Sequence, residues 1–244
     1  MKSKYLYTGE IHNLSAPREV VPLVIQLVKL KSVLDVGCGT GTWLQVFEEK
    51  GITDYLGVDG NHLDINLLKI PVHNFRVHDL QEAFSLDRKY DLVVSLEVAE
   101  HLDEKYANQF VQTLVNHGDT ILFSAAIPGQ GGQNHLNEQW PEYWQKKFEE
   151  HGFFLMDIIR PLIWKNEKID WWYRQNIFLV TKGKPNHTRN EMISVVHPDL
   201  HNQIIRKNLQ YVESVKKGEQ GLRLSTKIFC NAILYKLKLM LGLI

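Results

Sequence analysis

The sequence predicts an α/β fold built on a doubly wound, mostly parallel sheet. Short apolar runs, typical of strands buried on both faces, alternate with helical stretches along most of the chain. A glycine-rich turn at residues 37–41 separates the first apolar run from the helix that follows it. Acidic side chains stand at the ends of later runs. Ligands bind such sheets at the carboxyl ends of the strands, so one sheet edge is the predicted site.

The alternation of helix and strand begins with a helix over residues 16–31, where Pro17 suits a first helical turn. Strands are predicted at residues 32–36, 55–60, 75–80, 90–96, 120–126, 153–160 and 172–181. Helices are predicted between them at residues 41–50, 104–117 and 139–152. Because strand and helix alternate as far as residue 125, the order predicts parallel strands covered by helices.

Length, charge and cysteine content limit the class of protein. The 244 residues suffice for one α/β domain with an appendage. Basic and acidic residues both number 28, and this zero net charge argues against a broad nucleic-acid-binding surface. Cys38 and Cys230 lie far apart, which favours a reducing compartment over a disulfide framework. We find no signal peptide or membrane-spanning run and expect a cytoplasmic protein.

The glycine-rich turn predicts a ligand site at the start of a helix. Gly37, Gly39 and Gly41 let the backbone turn sharply and approach a ligand closely. The helix after Gly41 directs its free N–H groups into that space. A dinucleotide-binding turn would place a third glycine at position 42, where Thr42 stands. Asp35 precedes the glycines inside the predicted strand.

The run from Asp35 to Gly41 closely resembles motif I of the class I S-adenosylmethionine-dependent methyltransferases. This resemblance implies a seven-stranded sheet whose last strand runs antiparallel, covering about residues 16–183. It also implies that S-adenosylmethionine is the methyl donor, with the glycine turn holding its methionine part. The first predicted domain therefore comprises residues 1–183.

Two further acids fit the cofactor site that this resemblance implies. Asp59 ends the second predicted strand, where a carboxylate can accept both hydroxyls of a ribose. The structural alternative is a turn aspartate beside Gly60. Asp79 ends the third predicted strand, and the family pattern implies that it binds the adenine amine. The same pattern places the backbone of Leu80 near the base.

The segment after the fourth predicted strand has the pattern E-x-x-E-H. It resembles the ubiquinone-biosynthesis O-methyltransferases and the small-RNA 3′-terminal 2′-O-methyltransferases. That resemblance implies a Mg²⁺, Mn²⁺ or Zn²⁺ ion bound by Glu97, Glu100 and His101, with His135 as fourth ligand. Without a metal, Glu97 lines the cofactor pocket instead. His101 or His135 is then the catalytic base, because a neutral imidazole can take a hydroxyl proton.

The predicted reaction is methylation of a hydroxyl on a small molecule, with a saccharide or glycan precursor preferred. Residues 12–18 and 171–176 resemble bacterial methyltransferases linked to surface-polysaccharide genes. Trp140 is the aromatic residue expected to face the substrate. A catechol-like quinone precursor and an RNA 3′-terminal ribose are alternative acceptors, although zero net charge disfavours RNA. A non-catalytic S-adenosylmethionine-binding accessory protein is the alternative from another functional class.

The C-terminal part, residues 184–244, is predicted to be a linker followed by a helical extension. Helices are expected at residues 200–217 and 221–244. The last segment is apolar and basic without an acid, and one helical face combines Arg223, Lys227, Asn231 and Lys238. Such a helix can lie in an anionic membrane interface, which predicts a peripheral contact at the inner membrane face. Packing on the catalytic domain or on a second subunit are the alternatives.

Overall fold

The computed structural model describes residues 13–61, 63–183, 194–241 and 243. The chain divides into two compact units, Met1–His197 and Pro198–Ile244. The predicted linker falls mainly on residues 184–193, which lie outside the described residues. Residues 194–197 belong to the first unit, where the backbone N–H of His197 donates to Gln175 Oε1 at 2.7 Å.

The first unit is organised around a seven-stranded sheet in the order β3-β2-β1-β4-β5-β7-β6. Its strands are β1 (Ser32–Val36), β2 (Asp54–Asp59), β3 (Phe75–Val77), β4 (Leu92–Leu96), β5 (Thr120–Ser124), β6 (Phe153–Met156) and β7 (Phe178–Lys182). Strands β1 to β5 pair in parallel, whereas β7 is antiparallel to both β5 and β6. This topology confirms the predicted fold class and the antiparallel last strand.

Helices cover the sheet in the first unit and form the second unit. They are α1 (Ser15–Leu27), α2 (Thr42–Glu49), α3 (Ala107–His117), α4 (Pro141–Glu149), α5 (Arg160–Ile163), α6 (Trp171–Asn176), α7 (Pro198–Lys216) and α8 (Leu222–Met240). Short 3₁₀ turns include Ala99–His101 and Glu104–Tyr106. No helix in the described part of the chain is long and apolar enough to cross a membrane.

The sheet is buried on both faces, as the apolar runs predict. All five residues of β1 and all five of β4 are buried. Alternate residues of β1 enter different core clusters: Leu34 and Val36 pack in one, and Val33 packs in the other. Because side chains alternate across a strand, these clusters lie on opposite faces of the sheet. The rigid sheet therefore fixes the loops at its carboxyl edge.

The predicted strand over residues 172–181 is wrong in its first half. Residues 171–176 form the short helix α6, and β7 begins only at residue 178. The C-terminal end of α6 is fixed by polar contacts rather than by apolar alternation, because Gln175 and Asn176 are buried and hydrogen-bonded. The strand predicted over 153–160 likewise ends at Met156, and Arg160 begins α5.

Candidate active site

The glycine turn is held at the carboxyl edge of the sheet by bonds to β2. The N–H groups of Gly37 and Cys38 donate to the carbonyl of Val58 at 2.8 and 3.2 Å. Gly37 has a φ of +87°, and a Cβ atom there would lie 2.3 Å from a methyl carbon of Val98. A larger residue would therefore clash with the segment after β4 as well as strain the backbone. The turn and the E-x-x-E-H segment thus pack against each other.

Asp59 ends β2 as predicted and is buried. Its Oδ2 accepts from the N–H of Gly39, and its Oδ1 accepts from the N–H of Gly60, both at 2.6 Å. The carboxylate therefore organises the glycine turn directly. Gly41, with φ +82°, is the N-cap of α2 and packs its backbone against Ile70.

Asp35 lies inside β1, next to the turn, and is buried. Burial, and then the nearby charge of Asp59, raise the pKa of the Asp35 carboxyl well above its usual value. Its Oδ2 atom meets no hydrogen-bond partner among the described residues. A buried carboxyl beside a second acid is costly in its ionised form.

We expect Asp35→Asn to change how stability depends on pH. The folded-state pKa of Asp35 is raised, so the folded protein binds its proton more tightly than the unfolded chain does. The bound proton makes its full contribution to the free energy of unfolding below about pH 4, the usual pKa of an unfolded aspartate. This contribution is lost as pH rises through the pKa of Asp35 in the folded protein. The asparagine variant should therefore gain stability relative to wild type as pH increases. Thermal unfolding between acidic and neutral pH measures this, and a constant difference would contradict it.

Asp79 and Leu80 lie beyond the end of β3 at the same sheet edge. Asp79 is exposed, and its Oδ1 accepts from the N–H of Gln81 at 2.9 Å. Leu80 is half-buried and packs against the core. The structure therefore gathers the glycine turn, Asp59 and Asp79 after three adjacent strands.

Glu97 follows β4 directly and has a left-handed backbone, with φ of +55°. Its N–H donates to the carbonyl and the hydroxyl oxygen of Ser124 at 3.1 and 3.0 Å. Its carboxylate accepts from Gln130 Nε2 at 2.7 Å and from Asn176 Nδ2 at 3.1 Å. Burial raises the pKa of Glu97, and these donors partly offset that rise. A non-glycine residue at this φ is uncommon, and such strain is characteristic of functional sites.

Glu100, His101 and His135 form a compact cluster beside Glu97. Each offers one ligand atom, and these atoms all lie within 4.8 Å of one another. Glu100 is fully buried, and neither carboxylate oxygen has a hydrogen-bond partner among the described residues. Burial and then the charge of Glu97 raise the pKa of Glu100 well above its usual value, although nearby backbone groups partly offset this. Glu97 itself is not part of the three-residue cluster.

The loop after β5 brings His135 to this cluster. The N–H groups of Leu136 and Asn137 both donate to the backbone carbonyl of Glu100, at 2.7 and 3.0 Å. His135 Nδ1 lies 2.8 Å from Glu138 Oε1. Glu138 also accepts from the N–H groups of Gly129 and Gly131, at 2.8 and 2.7 Å. One carboxylate therefore fixes both the loop and the orientation of the imidazole, and it favours a proton on Nδ1.

Three residues of this site are not predicted from the sequence: Gln130, Asn176 and Glu138. Gln130 and Asn176 hold Glu97, and Asn176 Nδ2 also donates to Gln130 Oε1 at 2.8 Å. Neither amide lies in a recognisable motif, and Asn176 falls in the stretch that predicts a strand. Glu138 stands three residues after His135, a spacing that could have pointed to a paired carboxylate.

Comparison with known proteins identifies the family to which the chain belongs. A sequence profile described as "Methyltransferase domain" matches residues 6–173, more than half of the chain. The chain belongs to this methyltransferase family. It is an S-adenosylmethionine-dependent methyltransferase of class I, which confirms the activity and the methyl donor that motif I implies. A search of curated proteins found no match.

Solved structures of similar fold support the architecture of this methyltransferase. CalS10, an S-adenosylmethionine-bound amino pentose methyltransferase from Micromonospora echinaspora, aligns with a TM-score of 0.53 and 14% identity, covering 74% of this chain and 99% of that one. CcbJ from Streptomyces caelestis aligns at 0.52 and 14% identity, covering 70% and 90%. The methyltransferase domain of bacterial CtHen1-C aligns at 0.51 and 21% identity, covering 70% and 100%. At these identities the likeness establishes the fold.

Proposed function

We propose that this methyltransferase methylates a hydroxyl oxygen of a small-molecule or saccharide acceptor, with a divalent cation at Glu100, His101 and His135. The observation that carries the proposal is the cluster of one carboxylate and two imidazoles within 4.8 Å. Glu100 fits a ligand role because its buried carboxylate oxygens lack hydrogen-bond partners. Two imidazoles and one carboxylate suit Zn²⁺ and also Mn²⁺, whereas Mg²⁺ prefers oxygen ligands.

The proposed cofactor contacts follow the carboxyl edge of the sheet. The turn of Gly37, Gly39 and Gly41 would hold the methionine part of S-adenosylmethionine, with Asp35 supporting it from β1. Asp59 would accept from the ribose hydroxyls, and its bond to Gly39 couples that contact to the turn.

Asp79 would accept from the adenine amine, and Leu80 would pack near the base. Glu97 would line the pocket between the cofactor and the cation cluster.

The reaction requires an in-line arrangement of the acceptor oxygen, the methyl carbon and the sulfonium sulfur. The oxygen–carbon bond forms as the sulfur–carbon bond breaks, sulfur keeps the electron pair, and the hydroxyl loses its proton. When bound, a divalent cation lowers the pKa of a coordinated hydroxyl. Glu138 holds His135 through Nδ1, which leaves Nε2 as the nitrogen for a ligand bond or for the acceptor proton.

The His135–Glu138 contact of 2.8 Å also favours a metal-free version of the same reaction. In that mechanism His135, or its neighbour His101, is the general base and Glu138 stabilises the imidazolium that forms. The two ring centroids lie 4.9 Å apart, so both imidazoles serve one site. Metal dependence separates the two mechanisms.

The acceptor class is inferred from the exposed Trp140 and from the net charge of residues 1–197. Trp140, which precedes α4 at the end of the His135 loop, is 40% exposed and can offer its ring to a sugar face. Residues 1–197 have 25 acidic and 20 basic residues, a formal charge of −5 that disfavours RNA. A saccharide hydroxyl is therefore the preferred acceptor over a ribose at an RNA terminus. The proposed metal site keeps the resemblance of the E-x-x-E-H segment to the ubiquinone-biosynthesis O-methyltransferases.

The test combines metal analysis with an acceptor screen. Metal-stripped protein is titrated with Mn²⁺, Mg²⁺ and Zn²⁺ by calorimetry, and acceptors are screened with methyl-labelled S-adenosylmethionine before and after chelation. We expect metal binding, and turnover of a hydroxyl-containing acceptor that chelation abolishes. Turnover unaffected by chelation, together with no bound metal, would overturn the metal mechanism in favour of the histidine base. Cofactor binding without turnover of any acceptor class would support the accessory-protein alternative.

We expect Gly132→Ala to disturb His135 selectively. A Cβ atom at Gly132 would lie 2.1 Å from His135 Nε2, so the imidazole must move away from its present position. Gly132 does not have a positive φ, so alanine meets no left-handed strain at this position. Metal affinity should fall by about tenfold, consistent with loss of correct ligand orientation. Calorimetric titration with Mn²⁺ measures this, and Leu136→Ala, an exposed side chain on the same loop, is the control.

A further inference from the structure

Helix α8 carries an unusually large set of exposed apolar side chains. Every described residue from 226 to 241 is exposed, including Phe229 at 66%, Ile233 at 45% and Met240 at 82%. Contiguous apolar surface of this kind marks a site of interaction in a folded protein. At 19 residues the helix is about 28 Å long.

Helix α8 and the unit that contains it, residues 198–244, carry a net positive charge. Residues 198–244 contain eight basic and three acidic residues, which gives this unit a formal charge of +5. The segment from residue 221 to the last residue holds four basic residues and no acid. At 100° per residue, Arg223, Lys227 and Lys238 share one helical face, whereas Phe229 and Met240 lie on another. A basic face beside an apolar face is the pattern of helices that lie in a membrane interface.

We propose that α8 docks this methyltransferase on an anionic lipid bilayer, with its axis in the plane of the interface. Charge complementarity selects this occupant, because the basic face matches anionic headgroups and no acid on the helix opposes them. Lys236 supports a bilayer over a protein partner. It stands within the apolar sector, where a bilayer lets its aliphatic stem lie among lipids while the ammonium reaches water. This inference is independent of the proposed acceptor and metal.

Vesicle co-sedimentation of the full chain tests the proposal. The probes are vesicles of phosphatidylcholine alone and of phosphatidylcholine mixed with phosphatidylglycerol. We expect binding to the mixed vesicles that is much stronger than to the neutral ones and that weakens as ionic strength rises. Each basic residue near the surface strengthens binding about fivefold. Arg223→Gln/Lys227→Gln/Lys238→Gln should therefore weaken binding about 100-fold.

Two controls keep this result specific. Lys50→Gln/Lys165→Gln removes two exposed charges from the first unit and should leave vesicle binding unchanged. Phe229→Asp removes an apolar anchor and should weaken binding to mixed vesicles. Circular dichroism and thermal unfolding verify that each variant is folded.

Three outcomes would overturn the proposal. The first is no vesicle binding by the wild-type chain, and the second is equal binding to neutral and anionic vesicles. The third is a homodimer, detected by analytical ultracentrifugation, that Phe229→Asp dissociates while vesicle binding persists. That last result would assign the apolar face of α8 to a second copy of the chain.

Discussion

Asp59→Ala is expected to weaken S-adenosylmethionine binding by about 30- to 150-fold. The proposed ribose contacts are hydrogen bonds to a carboxylate, whose loss costs about 2–3 kcal/mol. In wild type the N–H of Gly39 donates a hydrogen bond to Asp59 Oδ2 at 2.6 Å, and the substitution removes this bond as well. The glycine turn should then lose part of its preorganised shape. Isothermal titration calorimetry with S-adenosylmethionine measures the effect.

Two companion variants separate ribose contact from turn support. Asp59→Asn keeps one side-chain oxygen acceptor for the turn but loses the charge, so its affinity should lie between those of wild type and the alanine variant. Asp54→Ala, at the opposite end of β2, removes an exposed ion pair with Arg88 of 2.7 Å. Exposed pairs contribute little, so this control should bind the cofactor normally. Unchanged binding by Asp59→Ala would exclude the ribose role.

The central strands could be predicted because they consist of short runs of mainly apolar residues, as expected of strands buried on both faces. The run Ser32–Val36 forms β1 with the predicted bounds, and all its side chains are buried. The failure at residues 172–177 has the opposite cause. There the chain contains aromatic residues that suit a strand, but Gln175 and Asn176 find partners in Gln130 and Glu97 when the segment is helical. Contacts between distant residues outweigh local propensity at that point.

The site was only partly predictable for a related reason. The cluster of Glu100, His101 and His135 follows from a motif and its family resemblance, and the structure brings these three side chains together. Glu97 was grouped with them, yet its carboxylate is held by the amides of Gln130 and Asn176. Those amides come from a loop and a helix that are 46 residues apart in sequence. No local pattern announces such a pairing.

Glu100→Gln is expected to stabilise the metal-free protein while abolishing metal binding. Glu100 is fully buried, its carboxylate oxygens lack hydrogen-bond partners among the described residues, and the charge of Glu97 adds repulsion. An unpartnered buried polar group costs about 1–3 kcal/mol, and more when charged. Glutamine leaves a polar group of nearly the same volume in place, but it removes the cost of ionising a buried carboxyl beside Glu97. The free energy of unfolding of the variant should therefore rise relative to wild type as pH increases above the pKa of an unfolded glutamate. Each kcal/mol corresponds to a rise of about 2–4 °C in Tm for a unit of this size.

The same substitution should eliminate the increase in Tm that Mn²⁺ produces in wild type. A saturating ligand at 100 times its Kd stabilises the folded state by about 2.7 kcal/mol. Differential scanning calorimetry with and without Mn²⁺ measures both effects in one experiment. Glu104→Gln, an exposed acid on the next 3₁₀ turn, is the matched control and should change neither quantity. A metal-free Glu100→Gln protein that is less stable than wild type would contradict this and make Glu100 a structural residue. Greater stability together with lost metal binding is expected of a ligand, because a buried carboxyl without protein partners serves metal binding rather than the fold.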